Sequence, residues 1–197
     1  MKLRRIGVFC GSSAGVRPDY ARAAEGLGTL LALRGIALVY GGGKVGMMGC
    51  LARAALQHGG KVIGVIPQSL HDKNLALADS TELHVVGTMH DRKALISELS
   101  DGFMALPGGL GTLDEMFEAL TWGQLGMHRK PCGLLDVAGF YAPLLEFLDH
   151  VTAQGFVDAA HRSMVLSAGT PEGLLELLES YEPVRADKVA WALGMAT

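Results

Sequence analysis

The chain alternates short, continuously apolar runs with longer segments whose apolar residues recur at helical spacing, and few folds accept that alternation. The runs are RRIGVFC (4–10), IALVY (36–40), KVIGVIP (61–67), ELHVV (82–86), GFMAL (102–106), CGLLDV (132–137) and the shorter SMVLS (163–167). An unbroken apolar run of strand length suits a strand covered on both faces. Between the runs, helices are predicted from Asp19 to Arg34, then over 46–58, 87–100, 112–124, 140–153 and 170–181. Asp19 is the predicted cap of the first helix and Gly35 its stop, while Thr170 with Pro171 should open the last. Segment 68–80, QSLHDKNLALADS, lacks a period and reads as an exposed loop. The order predicts a single α/β domain over 1–181, an open, mostly parallel sheet flanked by helices, with a tail over 182–197.

Composition narrows the functions such a sheet can serve. With 197 residues and 49% hydrophobic content the chain can bury a substantial core. The net charge is −3 and no block of five or six like charges occurs, so no nucleic-acid partner is expected. No apolar run approaches the roughly 18 residues of a membrane span. The opening MKLRRIGVFCGSS has too short an apolar stretch for a signal peptide and reads as a strand. Cys10, Cys50 and Cys132 are odd in number and form no C-x-x-C pair, which suits reduced thiols in a cytoplasmic protein. The seven histidines show no metal-ligand spacing, and no metal is expected.

Glycine carries the functional signal. Three Gly-rich segments, 11–15, 41–49 and 107–112, follow predicted strands. In an open parallel sheet the ligand crevice lies beyond those strand ends, which makes Ser12 and Gly43 candidate contacts. Gly41-x-Gly43-x-x-Gly46 matches a dinucleotide fingerprint. It follows the second strand, however, and no ribose-binding acid lies about 20 residues on. A tight turn with close helix packing and a direct ligand contact both fit it.

The segment PGGLGTLDE (107–115) is more specific. Gly108, Gly109 and Gly111 leave room for a ligand, and a helix starting at Thr112 would aim free N–H groups at a phosphate. Thr112-x-x-Glu115 is equally a capping box, with Asp114 a helix-start charge. Arg92 and Lys93 stand in the first turns of another predicted helix, where cations are disfavoured. Together they ask for an anionic partner, and Arg92 can give two parallel hydrogen bonds to one. His90 beside them is a weaker candidate.

PGGLGTLDE with MHDRK (89–93) resembles the Lonely Guy family, the cytokinin riboside 5'-monophosphate phosphoribohydrolases. CGSS (10–13), VYGGGKVGMMG (39–49), GVIPQSL (64–70) and LTWGQLGMHRKP (120–131) match as well, and the likeness runs from about residue 5 to 180. The resemblance implies a Rossmann-like fold, a homodimer, and no metal or organic cofactor. The implied reaction is hydrolysis of the N-glycosidic bond of a nucleoside 5'-monophosphate, giving free base and ribose 5-phosphate. The family's catalytic pair falls on Arg92 and Glu115, and its nucleotide contacts on Lys93, Gly109, Gly111, Thr112 and Thr121. Glu115 would then serve the ribose or the attacking water, with Arg92 orienting it and the glycine loop holding the phosphate. Asn74 and Leu77 depart from the family, which often has Glu and His there; Asn74 keeps a hydrogen-bonding side chain but no charge. Leu110 replaces a frequent Tyr. A non-catalytic nucleotide or cofactor carrier on the same scaffold is the alternative. A lysine decarboxylase, a label that travels with this family, would need a Schiff-base lysine with supporting partners, and none of the seven lysines has that context.

Overall fold

A computed structural model describes residues 2–184; residues 185–197, most of the expected tail, lie outside the described residues. All seven apolar runs are strands: β1 (Arg5–Phe9), β2 (Ala37–Tyr40), β3 (Val62–Pro67), β4 (Glu82–Val86), β5 (Gly102–Ala105), β6 (Cys132–Leu135) and β7 (Val165–Ala168). They form one sheet in the order β4-β3-β2-β1-β5-β6-β7, and every pairing is parallel. The chain builds outward from β1 to β4, then crosses back to lay β5 on the other side of β1. That reversal makes the β1–β5 boundary the switch point of a Rossmann-like sheet.

Helices cover both faces, which is why the strands read as continuous apolar text. The main helices are α1 (Pro18–Leu33), α2 (Gly46–Gln57), α4 (Met89–Leu99), α5 (Leu110–Gln124), α6 (Ala142–Ala153) and α8 (Pro171–Glu179). Successive strand residues point to opposite faces. Ile6, Val8, Leu38 and Tyr40 pack with Leu27 and Leu31 of α1, Met47 and Leu51 of α2, and Leu174 and Leu178 of α8. Phe9, Val39, Ile63 and Val65 pack on the other side with Ile96 of α4 and Met116 and Ala119 of α5. At roughly 25 cal/mol per Å2 of apolar surface, these two half-cores supply the main favourable folding term.

Several local expectations are corrected. The first helix is preceded by Arg17, with Pro18 at its first position; Asp19 lies inside the first turn, paired with Arg17 and Arg22. Gly35 does stop the helix at φ +65°, and Thr170 does cap α8 through the Gly173 N–H. Two short helices, α3 (Gln68–His71) and α7 (Ala159–Arg162), went unread because a single turn is too short to show a period. Segment 68–80 is not a free loop. Gly43 bridges antiparallel to Ala76, and Leu77 is buried with its N–H on the Gly42 carbonyl at 2.9 Å. Leu77 is thus a core residue that pins this segment to the glycine turn.

Candidate functional site

The glycine segments after β1, β2 and β5 come together at the switch point. The Gly11 N–H donates to the Pro107 carbonyl at 3.1 Å, tying the β1 loop to the β5 loop. A Cβ on Gly46 (φ +59°) would collide with the backbone of Ser12, so this glycine lets the β1 loop rest on the start of α2. A Cβ on Gly108 would collide with the Thr112 hydroxyl folded against it. Gly46 of the fingerprint therefore does packing work, and Ser12 is left exposed while Gly43 is buried in its bridge.

Helix α5 begins earlier than expected. Its first residue is Leu110 and its cap position is Gly109, which has no side chain to offer. Gly109, Leu110 and Gly111 are exposed residues, and the first backbone N–H groups, which have no intrahelical partner, carry the positive end of the helix dipole. Helices α1 and α2 also start from the glycine segments without a side-chain cap, whereas α4, α7 and α8 are capped by Thr88, Asp158 and Thr170. An uncapped helix start with exposed residues is suited to an anion such as a phosphate.

This shift of register removes the capping-box reading. Glu115 lies in the second turn of α5 and does not reach back to the helix start. It is 9% exposed, as is Arg92, and its Oε1 accepts from Arg92 Nη1 at 2.5 Å. Arg92 Nε also donates to the Val65 carbonyl at 3.1 Å, so the guanidinium is held from two directions. Its remaining nitrogen lies against Gly41, where a Cβ would collide with it. Arg92 is the side-chain hydrogen-bond partner of Glu115 among the described residues, and it engages Oε1. Burial pushes the Glu115 carboxyl above the ordinary carboxylate range; the Arg92 charge and hydrogen bond draw it back without cancelling the rise.

The pair of cations on α4 finds its anions within the chain. Thr88 and Asp91 form a full capping box that offsets the unfavourable placement of Arg92 and Lys93 near the helix start. Lys93 Nζ lies 3.2 Å from Asp114 and 3.1 Å from Glu118, with its side chain 12% exposed. Burial works against its charged form, but the Glu118 and Asp114 hydrogen bonds together raise its pKa. Asp114 is therefore a partner of Lys93 and lies beyond the first turn of α5. Asp114 and Glu118 are four apart on one helix face, a spacing visible in the sequence but not read there. The other missed elements, the Val65 carbonyl and the space above Gly41, leave no local sequence signal.

Thr121 lies away from this pair. It sits six residues beyond Glu115, about 9 Å along the helix, beside a cavity of about 190 Å3 lined by Phe117, Leu148, Val157 and His161. His90 is exposed at the start of α4, and Asn74 accepts from Lys44 Nζ at 3.1 Å. Leu110 is 87% exposed at the crevice rim. All three cysteines are free thiols, Cys10 and Cys132 buried. Among the described residues no group of three or more His, Cys, Asp or Glu is arranged to hold a metal ion, and no helix is long and apolar enough to cross a membrane.

A parallel sheet of this order, with a free helix start and a buried cation–carboxylate pair at its switch point, defines a Rossmann-like protein equipped to hold a small anionic ligand. Residues 48–178 match the sequence model of a family described as possible lysine decarboxylase. The chain is 48% identical over 189 residues to cytokinin riboside 5'-monophosphate phosphoribohydrolase LOG1 of Arabidopsis thaliana, covering 96% of this chain and 88% of that one. It is 49% identical over 183 residues to a probable enzyme of the same name, LOGL9 of Oryza sativa subsp. japonica, covering 93% and 81%. Among solved structures it resembles the molybdenum cofactor binding protein of the bacterium Rippkaea orientalis, with a TM-score of 0.69 and 28% identity over 91% of this chain and 98% of that one. The chain belongs to the Lonely Guy family.

Proposed function

We propose that this chain hydrolyses the N-glycosidic bond of a purine nucleoside 5'-monophosphate, a cytokinin ribotide or AMP, releasing the free base and ribose 5-phosphate. The buried Arg92–Glu115 pair beside the free start of α5 carries this reading. As the bond from C1' to the base nitrogen breaks, its electron pair leaves with the base and positive charge develops on the ribose. A carboxylate in a water-poor site stabilises that charge far better than solvent does. Glu115 Oε2 faces the ribose or the incoming water, whose oxygen bonds to C1' as the water gives up one proton to solvent and the base nitrogen takes one from it. Arg92 holds Glu115 in place, while Gly108, Gly109, Gly111 and Thr112 take the 5'-phosphate. Lys93 acts from behind, tying α4 to α5 through Asp114 and Glu118 so that Arg92 and Glu115 meet.

The test is to incubate the protein with AMP and with isopentenyladenosine monophosphate and to chromatograph for free base. Free base with ribose 5-phosphate in equal amounts is expected. Tight binding without release would favour a nucleotide or cofactor carrier on the same scaffold. The decarboxylase label draws no support from Lys93, whose ammonium is engaged by two carboxylates.

The same reading includes a homodimer in the cytoplasm. Helix α6 carries Leu144, Leu145, Phe147 and Leu148, yet none of its residues is fully buried. Phe147 is 59% and nearby Phe156 78% exposed. Covering that apolar face suits a second copy better than water, and free buried thiols suit a reducing compartment. Light scattering after size exclusion should give twice the chain mass, and Phe147→Glu should shift it to the monomer. An unchanged wild-type monomer would remove this part of the proposal.

A further inference from the structure

The Tyr141 hydroxyl reaches from beyond β6 to the end of β5, where the chain enters the glycine loop. Tyr141 is 1% exposed, and its hydroxyl donates to the Leu106 carbonyl at 2.7 Å, across 35 positions of sequence. Burial pushes the Tyr141 phenol above its ordinary value, and the nearby Cys10 and Asp136 add to the rise. The group therefore stays protonated, and stays a donor, throughout the neutral range.

The connection after β6 is shaped to hold this side chain. It turns through Ala138 and Gly139, both left-handed at φ +53° and +76°. Alanine adopts that conformation at a cost, which surrounding contacts must offset. The Tyr141 N–H closes the turn by donating to Asp136 Oδ1 at 2.6 Å. Phe140 meets the Tyr141 ring edge-on at 4.9 Å between centroids and the Tyr20 ring of α1 at 5.7 Å.

What Tyr141 grips is a slip in the sheet. Phe9 of β1 pairs with Ala105 of β5, and the Leu106 N–H donates to the Phe9 carbonyl at 2.9 Å. A continued parallel ladder would bring the Gly11 N–H to the Leu106 carbonyl. Instead the Gly11 N–H takes the Pro107 carbonyl, one residue further, at 3.1 Å. Leu106 is fully buried, so the carbonyl passed over needs a partner, and Tyr141 supplies it. The slip lies at the entrance to the loop that opens α5, whose cap position is Gly109. A trans peptide points its N–H opposite its C=O, so the hold on the Pro107 carbonyl also fixes the direction of the Gly108 N–H.

We infer that Tyr141 is a positioning residue for phosphate binding, whose hydroxyl stabilises the slipped entrance and so sets the backbone of residues 107–109; this rests on the hydrolase reading above, in which that loop takes the 5'-phosphate. Without the hydroxyl, the stranded Leu106 carbonyl competes for the Gly11 N–H. The Pro107 carbonyl then loses its donor, and the Pro107–Gly108 peptide is free to rotate. A rotated peptide turns a carbonyl toward the anion where an N–H stood, and the interaction changes from attraction to repulsion.

The experiment compares wild type with Tyr141→Phe, which removes one oxygen and keeps the ring. KM for AMP and the inhibition constant of ribose 5-phosphate are each expected to rise about tenfold, with kcat for adenine release within about threefold of wild type. A general loosening of α5 would displace Glu115 and lower kcat as well. Asp136→Ala frees the Tyr141 N–H but leaves the hydroxyl, and should raise the same two constants in the same direction. Thermal melts identify the folded variants. Wild-type affinity for ribose 5-phosphate in the folded variants, or a fall in kcat as large as the rise in KM, overturns this inference alone. Release of no base from AMP or isopentenyladenosine monophosphate by the wild type overturns the hydrolase reading and this inference with it.

Discussion

Glu115→Gln is expected to lower kcat for base release by about 10²–10⁴-fold, with a much smaller change in KM. Glutamine keeps the size and can still accept from Arg92, so the fold and the phosphate loop should persist while the negative charge is lost. Near wild-type release of adenine from AMP by this variant would sink the role given to Glu115. A pH profile gives a second readout. Because burial holds the Glu115 carboxyl above the ordinary range, the acid limb of wild-type activity should lie above the usual carboxylate value of about 4.3. Activity rises through that limb as Glu115 ionises. The stability sign is opposite. The folded state binds the Glu115 proton more tightly than the unfolded chain, so this group's favourable contribution is complete below the unfolded value. It is lost as pH rises through the folded one. Glu115→Gln should therefore gain stability relative to wild type as pH increases over that window. A flat difference in melting temperature across the window would contradict it.

Arg92→Met should cost both activity and stability. It leaves a buried carboxylate without its cation, and breaking a buried pair from one side typically costs about 3–5 kcal/mol. Protonation of Glu115 would relieve part of that, at the expense of the charge the reaction needs. Activity should fall at least about 10²-fold, and the urea midpoint should drop. Adding Glu115→Gln to Arg92→Met removes the stranded charge, so the double variant should be more stable than Arg92→Met alone. Arg92→Lys is not a conservative rescue. A lysine has a single nitrogen to reach both the Val65 carbonyl and Glu115, which the guanidinium spans with separate N–H groups. Wild-type stability in Arg92→Met, or a double variant no more stable than it, would show that the pair is not energetically coupled.

The placement of the glycine crevice was legible because both signals behind it are local. A strand buried on two faces must be apolar throughout, and a backbone that turns sharply at its end needs glycine. Helix starts were less legible. Thr112 and Glu115 have capping-box spacing, but the glycine before Leu110 can also enter a helix, and the earlier start wins. Segment 68–80 shows the same limit: Leu77 looked like part of an exposed loop because its burial depends on Gly42, 35 positions earlier in the chain.

The sequence by itself determined seven strands, their parallel α/β arrangement, and the glycine loops at their ends, because each follows from the period and composition of a short segment. It also placed an arginine and a glutamate in motifs shared with a family of nucleotide hydrolases. Only the tertiary structure decided what those side chains touch. Arg92 and Glu115 are 23 residues apart, and Lys44 and Asn74 are 30 apart. Such pairs form because a parallel sheet brings the segments that follow its strands together at its carboxyl end, however far apart they are in the chain. Local spacing contains no term for that order. It therefore left Glu115 between cap and catalyst, and Lys93 without its carboxylates.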